Sequence, residues 1–265
     1  MLSIVEAQRV RAVFQIPLHR IFKANEVKGF SAPPSEEIWR AVLSAILVHD
    51  LGKLTKDYQE RRNVRHHHVS AIIARKALED IFGEFMSLVL AYAIILHHEA
   101  IDWRSMEKSF LTRSYIREAF SPSRSITYGA QDVPLEDFEH AAADIMGELT
   151  SMGLLGEADH EVLLTVQNAA LMELRRNAGN MLRISDELRV AKLLDKRYQV
   201  PSIAVYRLIY LADNRAASAR ERYWYNLLSE VDWNKLDTIS EEIRKRLSGK
   251  PYYIGLSSIP PIKST

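Results

Sequence analysis

The chain has 265 residues, 47% hydrophobic and 26% charged, a balance that excludes intrinsic disorder, collagen-like repeats and coiled-coil rods. Its 35 basic and 34 acidic side chains nearly cancel, so only a local basic patch could attract nucleic acid. There is no cysteine, which excludes disulfides and thiolate metal sites and restricts metal ligands to His, Asp and Glu.

Helical periodicity dominates the sequence, because apolar residues recur mostly at three- and four-residue spacing while glycine and proline are sparse. The first clear helix is predicted from Ser35 to Asp50, with Ser35 as its cap and Gly52 as a C-terminal glycine just beyond it. Its apolar stripe also carries His49, so this imidazole is expected to point toward the core.

The remaining pattern predicts an all-α bundle in one domain over residues 1–221, followed by a C-terminal helical appendage and extended tail over 222–265. Residues 121–134 read as an exposed loop. No apolar run is long enough for a membrane span and the N-terminus lacks a signal-peptide pattern, so we expect a soluble, cytoplasmic protein without a membrane partner. The further helices are predicted from about Val64 to Phe82, Phe85 to about Glu99, Leu135 to Met152, His160 to Arg176 and about Pro201 to Tyr225.

Histidine is the most informative residue type, because six of the nine fall in three groups at predicted helices: His49 followed by Asp50, the run 66–68, and the pair His97 and His98. A single histidine on an apolar stripe is more often a hydrogen-bonded core residue than a ligand. Adjacent helical residues diverge by about 100°, so at least one of the three consecutive histidines should be exposed or outside a ligand set. Together, however, the groups predict a metal site between facing helices of a bundle core.

Four motifs also resemble those of a known family. The segment His49-Asp50-Leu-Gly-Lys53 resembles the signature of the HD phosphohydrolase superfamily, in which adjacent His and Asp close a helix and bind metal. Residues 66–71 resemble the His-x-x-x-Ser-Ala element of one branch, His97 and His98 its paired histidines, and residues 211–218, with Asp213, its late aspartate motif. The combination resembles the CRISPR-associated HD nuclease of type I interference systems, especially the stand-alone form whose helicase is a separate polypeptide.

The resemblance implies an HD-domain helical bundle that holds one or two divalent ions (Mn, Mg, Ni, Co or Fe) in its core. His19 matches an early family histidine by order alone. His67 stands where the family usually has an acidic residue, so the choice between His66 and His67 stays open. Lys53 resembles a lysine suited to a substrate phosphate. The implied ligands are His19, His49, Asp50 and Asp213 for one ion and His66, His97 and His98 for a second, with Asp50 bridging both.

The resemblance further implies a metal-dependent nuclease that hydrolyses phosphodiester bonds of single-stranded DNA in type I CRISPR interference, with Asp50 and Lys53 as catalytic residues. The sequence contains no Gly-x-x-x-x-Gly-Lys-Ser/Thr loop, so translocation would require the separate helicase subunit, and targeting a guide-RNA surveillance complex. Substrate phosphates could also be held by Arg61, Arg65 and Arg215, although arginines at helix ends are about as often simply solvated.

Two other functions are compatible with the same motifs. One is an HD-family phosphohydrolase that acts on a small (deoxy)nucleotide, since a second metal does not exclude a small substrate. The other is a non-catalytic scaffold stabilised by metal, which would bind ions tightly without hydrolysis. A purely structural site has no need for Lys53 or for so many ligands, which favours the enzyme.

Overall fold

The computed structural model describes residues 2–54, 66–97, 135–175 and 196–229. Within these ranges the backbone is helical throughout its regular elements, with only an isolated bridge between Val27 and Phe30. None of the helices in these ranges has an apolar stretch long enough to cross a bilayer. The prediction of an all-α bundle is confirmed. Its elements are α1 (Leu2–Ala24), α2 (Ser35–Val48), a 3-10 helix (Leu51–Leu54), α3 (His66–Leu96), α4 (Leu135–Ser151), α5 (Glu157–Arg175) and α6 (Lys196–Ser229).

Helix α3 forms the centre of the bundle and packs against α2, α5, α6 and the 3-10 helix. Every residue from 85 to 96 is buried, as expected of a helix that is apolar on all sides and surrounded by others. Gly83 interrupts α3 with φ +79°, a conformation that glycine adopts without steric cost. The two helices predicted on either side of residue 83 are therefore confirmed as two segments that meet at this glycine.

Helix α1 was not predicted from the sequence, and it packs on both α2 and α6. Ile4, Ala7 and Val10 are buried at three-residue steps, followed by Leu18. This spacing is the ordinary signature of an amphipathic helix. Pro17 lies inside α1 on its exposed side, where water can bind the backbone carbonyl left without an amide partner.

Some predicted boundaries are wrong by a few residues. Helix α2 begins at Ser35, but Pro34 holds the N-cap position and no side chain caps the helix. Helix α6 begins at Lys196, so Pro201 lies inside it rather than in its first turn, at a position that forgoes one backbone hydrogen bond.

The predicted domain boundary falls within a continuous helix, because α6 runs through residue 221 to Ser229. The rest of the predicted appendage and the predicted loop at 121–134 lie outside the described residues. The division at 221/222 stays a prediction.

Asp159 ties three helices together from the first turn of α5. Its carboxylate is buried and accepts hydrogen bonds from Arg40 Nε on α2 (2.9 Å) and Arg11 on α1 (3.2 Å). We expect Asp159→Ala to lower the free energy of unfolding by about 1–3 kcal/mol, because two guanidinium groups lose a shared buried acceptor. Urea denaturation followed by circular dichroism measures the change, and an equal loss in the exposed-site control Asp144→Ala would contradict this role.

Candidate metal centre

Two buried histidines occupy equivalent positions, each directly after the last residue of a helix. His49 follows α2 and its Nδ1 lies 2.6 Å from the carbonyl oxygen of Ile46, while His97 follows α3 and its Nδ1 lies 2.5 Å from that of Ile94. A carbonyl oxygen only accepts, so Nδ1 carries the proton in both rings. In the neutral ring Nε2 then has a free lone pair to offer a metal. This is the tautomer found in most metal-ligating histidines whose Nδ1–H is held by a backbone carbonyl.

Asp50 lies at the centre of the cluster, and its two carboxylate oxygens face different neighbours. Oδ1 lies 3.3 Å from His66 Nε2 and 3.8 Å from His97 Nε2. Oδ2 lies 3.5 Å from His49 Nε2 and 2.7 Å from Lys53 Nζ. The carboxylate therefore lies between the end of α2, both ends of α3 and the 3-10 helix.

Asp213 brings α6 into the same cluster. Its Oδ1 lies 3.6 Å from His49 Nε2, and about a third of its side chain is exposed. On the preceding turn Ile209 is buried, whereas Tyr210 is exposed. The side chain of Asp213 thus lies at the rim of the cluster, where solvent can reach it.

The pKa shifts follow from this crowding. Burial alone would raise the pKa of Asp50, but His66, His97, His49 and Lys53 outweigh it and hold that pKa well below its usual range. Burial opposes the charged form of His49, yet the carboxylates of Asp213 and Asp50 outweigh it and raise the pKa of His49. Contact with His49 lowers the pKa of Asp213, and burial lowers that of His97. The surroundings therefore stabilise the ionised carboxylates of Asp50 and Asp213 beside the imidazoles.

The segment after Asp50 is fixed by close backbone packing. Gly52 does not have a positive φ; its role differs from the C-terminal glycine expected from the sequence. A Cβ built on Gly52 would lie 2.1 Å from the carbonyl oxygen of His66, and the Gly52 N–H donates a 2.8 Å hydrogen bond to the buried Ser70 Oγ. Glycine is needed here because the start of α3 passes directly against the 3-10 helix.

The residues present fit a divalent cation. One ligand atom from each of His49, Asp50 and His97 lies within 4.8 Å of the others. Within the described ranges, His49 Nε2 and Asp50 Oδ1 are buried and make no hydrogen bond. The 3.3–3.8 Å separations in the cluster exceed ordinary hydrogen bonds. They are close to the roughly 3.0–3.5 Å between neighbouring ligands that share an ion at about 2.1 Å.

The other predicted site residues are placed as follows. All three consecutive histidines are buried, so none of them is exposed, and the prediction that at least one stays outside the ligand set is left as the remaining alternative. The ring of His67 lies 5.8 Å from that of His97, close to the cluster. His19 is half-buried on α1 and makes no hydrogen bond, ion pair or ring contact with the cluster in the described part of the chain. The remaining three predicted residues, His98, Arg61 and Arg65, lie outside the described residues.

Arg215, predicted to contact substrate, lies beside a buried carboxylate of α1. Its Nε is 3.6 Å from Glu6 Oε2, and about half of the Arg215 side chain is exposed. The contact of Glu6 with Arg215 could not be predicted, because nothing in the local pattern links an N-terminal glutamate to a residue on α6. Ser70 was predicted only as a member of the motif at residues 66–71, and its hydrogen bond with Gly52 was not predicted.

A helical bundle whose central cluster joins a His-Asp pair at the end of one helix, a histidine at the end of another and an aspartate from a late helix has the architecture of an HD domain. The chain is similar in structure to the CRISPR-associated Cas3 HD domain protein of Methanocaldococcus jannaschii, with a TM-score of 0.50 and 18% sequence identity, over 79% of this chain and 90% of that one. No family model matches the sequence, and no curated protein is significantly similar to it. The likeness confirms the HD-domain fold expected from the motifs.

Proposed function

We propose that the protein is a metal-dependent phosphodiesterase, a nuclease that hydrolyses single-stranded DNA. The observation that carries the proposal is the convergence of imidazoles and carboxylates from distant parts of the chain on the single carboxylate of Asp50. Burying such a group of ionisable residues is costly unless a partner compensates. A divalent cation is a partner of the matching chemistry.

The ligand geometry supports an assignment to two sides of Asp50. His66 and His97 lie on the Oδ1 side, and His49 lies on the Oδ2 side with Asp213 beyond it. A carboxylate can bridge two cations with its two oxygens, which an imidazole with one lone pair cannot. Divalent cations bound here would supply Lewis-acid activation of water and stabilise negative charge on phosphoryl oxygens.

The chain's own residues contribute orientation and charge. The backbone carbonyls of Ile46 and Ile94 hold His49 and His97 in the tautomer that presents Nε2. Lys53 is partly exposed beside Asp50, so its ammonium can reach a substrate phosphate at the rim. Arg61, Arg65 and Arg215 stay proposed contacts of the DNA backbone, and His19 and His98 stay proposed ligands.

The likeness to a Cas3 HD domain protein supports a role in type I CRISPR interference. In this role a separate helicase subunit would deliver single-stranded DNA, and a guide-RNA surveillance complex would select the target. The near-neutral net charge fits this division of labour, since the chain has no strong field of its own to attract long DNA.

Cleavage assays distinguish this proposal from its alternatives. We expect a labelled single-stranded oligonucleotide to be cut in Mn, Mg, Ni or Co, with no cleavage in EDTA and slower cleavage of duplex DNA. A panel of deoxynucleotides and cyclic nucleotides is assayed in parallel. Turnover of mononucleotides alone would replace the nuclease by a small-molecule phosphohydrolase, and metal-dependent thermal stability without any hydrolysis would indicate a scaffold.

A further inference from the structure

We propose that Lys53 is an internal competitor of the metal: its ammonium holds the Oδ2 side of Asp50, so that the second cation binds only as Lys53 moves away. The inference rests on the proposed function, since it concerns the loading of the same centre. It assigns to Lys53 control over metal occupancy, in addition to the phosphate contact that the motif implies.

The contacts of the Asp50 carboxylate differ in length. Lys53 Nζ lies 2.7 Å from Oδ2, the length of a charge-assisted hydrogen bond. The three imidazole nitrogens around the same carboxylate lie farther away, at 3.3–3.8 Å. Within the described part of the chain, Asp50 is therefore hydrogen-bonded directly to one ammonium group, on its Oδ2 side, and that group belongs to the protein itself.

The local backbone keeps this cation in place. The backbone N–H of Lys53 donates a 2.9 Å hydrogen bond to the Asp50 carbonyl, across the turn that leads into the 3-10 helix. This turn places the side chains of the two residues, which are three positions apart in sequence, on the same side of the backbone. About a third of each side chain is exposed. A flexible four-carbon stem lets the ammonium turn outward to solvent without any change of the backbone.

Competition follows from charge. An ammonium hydrogen-bonded to Oδ2 and a divalent cation bound to the same oxygen would be like charges a few ångströms apart, which repel each other strongly at such distances. Among the described residues, the groups at 3.3 and 3.8 Å from Oδ1 are imidazoles, so an ion there meets no ammonium from this part of the chain. The Oδ1 side should therefore fill first and the Oδ2 side second.

The same geometry couples metal loading to the substrate. A phosphate at the rim gives the Lys53 ammonium another anion to bind, and its departure vacates Oδ2. Because such coupling is reciprocal, a full centre would in turn favour a Lys53 that is available for phosphate. Substrate binding and occupancy of the second ion would then rise together.

Calorimetric titration with Mn²⁺ alone tests the competition without any activity readout. We expect Lys53→Met to tighten the weaker binding step about three- to tenfold, or to reveal a second step that the wild type lacks, while the tighter step stays unchanged. Lys53→Arg, which keeps the charge, should titrate like the wild type. Lys76→Met is the matched control, since Lys76 also pairs with an acid three residues away, Glu79, outside the centre.

Every outcome bears on the inference. Identical titrations of wild type and Lys53→Met would overturn it, and so would equal tightening in Lys76→Met, because that would reflect net charge alone. Circular dichroism verifies folding, and Lys53→Gln provides a second neutral variant should Lys53→Met fail to fold. A wild type that binds no Mn²⁺ at all would refute the proposed function itself, whereas tight Mn²⁺ binding unaffected by Lys53 would refute only the competition.

Discussion

Asp50→Asn is expected to lower cleavage of single-stranded DNA at least about 10³-fold and to remove the stabilisation of the protein by Mn²⁺. Asp50 is the residue on which the cluster converges, with three imidazoles and Lys53 around its two oxygens. The amide has the same shape but no charge and one oxygen fewer, so it cannot hold a cation on each side. Groups that place and stabilise charge in the transition state contribute losses of this size when removed.

Two measurements separate loss of the metal from loss of the fold. Thermal unfolding with and without Mn²⁺ should show a metal-dependent rise in melting temperature in the wild type and none in Asp50→Asn, because a ligand stabilises only the state that binds it. Asp80→Asn, which changes an exposed acid on α3, should match the wild type in both assays. Undiminished cleavage by Asp50→Asn would refute the proposed mechanism.

The sequence predicts those parts of the molecule that depend on local periodicity. The apolar stripe of α2 is buried as expected, and the core-facing His49 follows from the same three- and four-residue steps. The break between the segments of α3 falls at Gly83, in the gap between the two predicted helices. Helix α1 was not predicted, although its apolar residues recur at regular helical spacing, because it carries none of the four motifs.

The meeting of the site residues does not follow from local periodicity. Nothing local connects residues 49, 66, 97 and 213. The three histidine groups predicted a shared site between facing helices, and the motif resemblance added Asp213 to it. The burial of all three consecutive histidines could not be predicted from helical geometry either. A 100° step between neighbours excludes a common direction, yet residues 66–75 at the start of α3 are all buried, so each direction there leads into protein. The contact of Glu6 with Arg215 likewise depends on how α1 packs on α6.

The packing of distant elements against one another determines where the ligand side chains of the centre lie. Most of the ligand-bearing elements end or begin at the cluster: α2 and α3 end beside it and α3 also begins beside it, whereas Asp213 comes from the middle of α6. Side chains at helix ends can approach one another more closely than those in facing helix middles, which are held about 8–10 Å apart between axes. The centre therefore depends on the position of the 3-10 helix, which sets where the end of α2 lies relative to the start of α3.

Gly52→Ala tests that dependence, and we expect it to lower cleavage at least about 10²-fold and to weaken Mn²⁺ binding about 10- to 100-fold. The new Cβ would meet His66 backbone atoms at 2.1, 2.8 and 2.9 Å, and a backbone cannot escape as a flexible side chain can. The 3-10 helix and the start of α3 must separate, which draws Asp50 away from His66. A displacement of about 1 Å at a catalytic centre is enough for a loss of this size.

The matched control is Gly147→Ala inside α4, four residues before its end, where an added Cβ meets nothing within 4 Å. There alanine should raise the free energy of unfolding by up to about 1 kcal/mol, because it is the better helix former. Ser70→Ala offers a milder test of the same contact, since it removes the acceptor of the buried Gly52 N–H without adding volume. Should Gly52→Ala bind Mn²⁺ and cleave DNA as well as Gly147→Ala does, the position of the 3-10 helix would not control the centre.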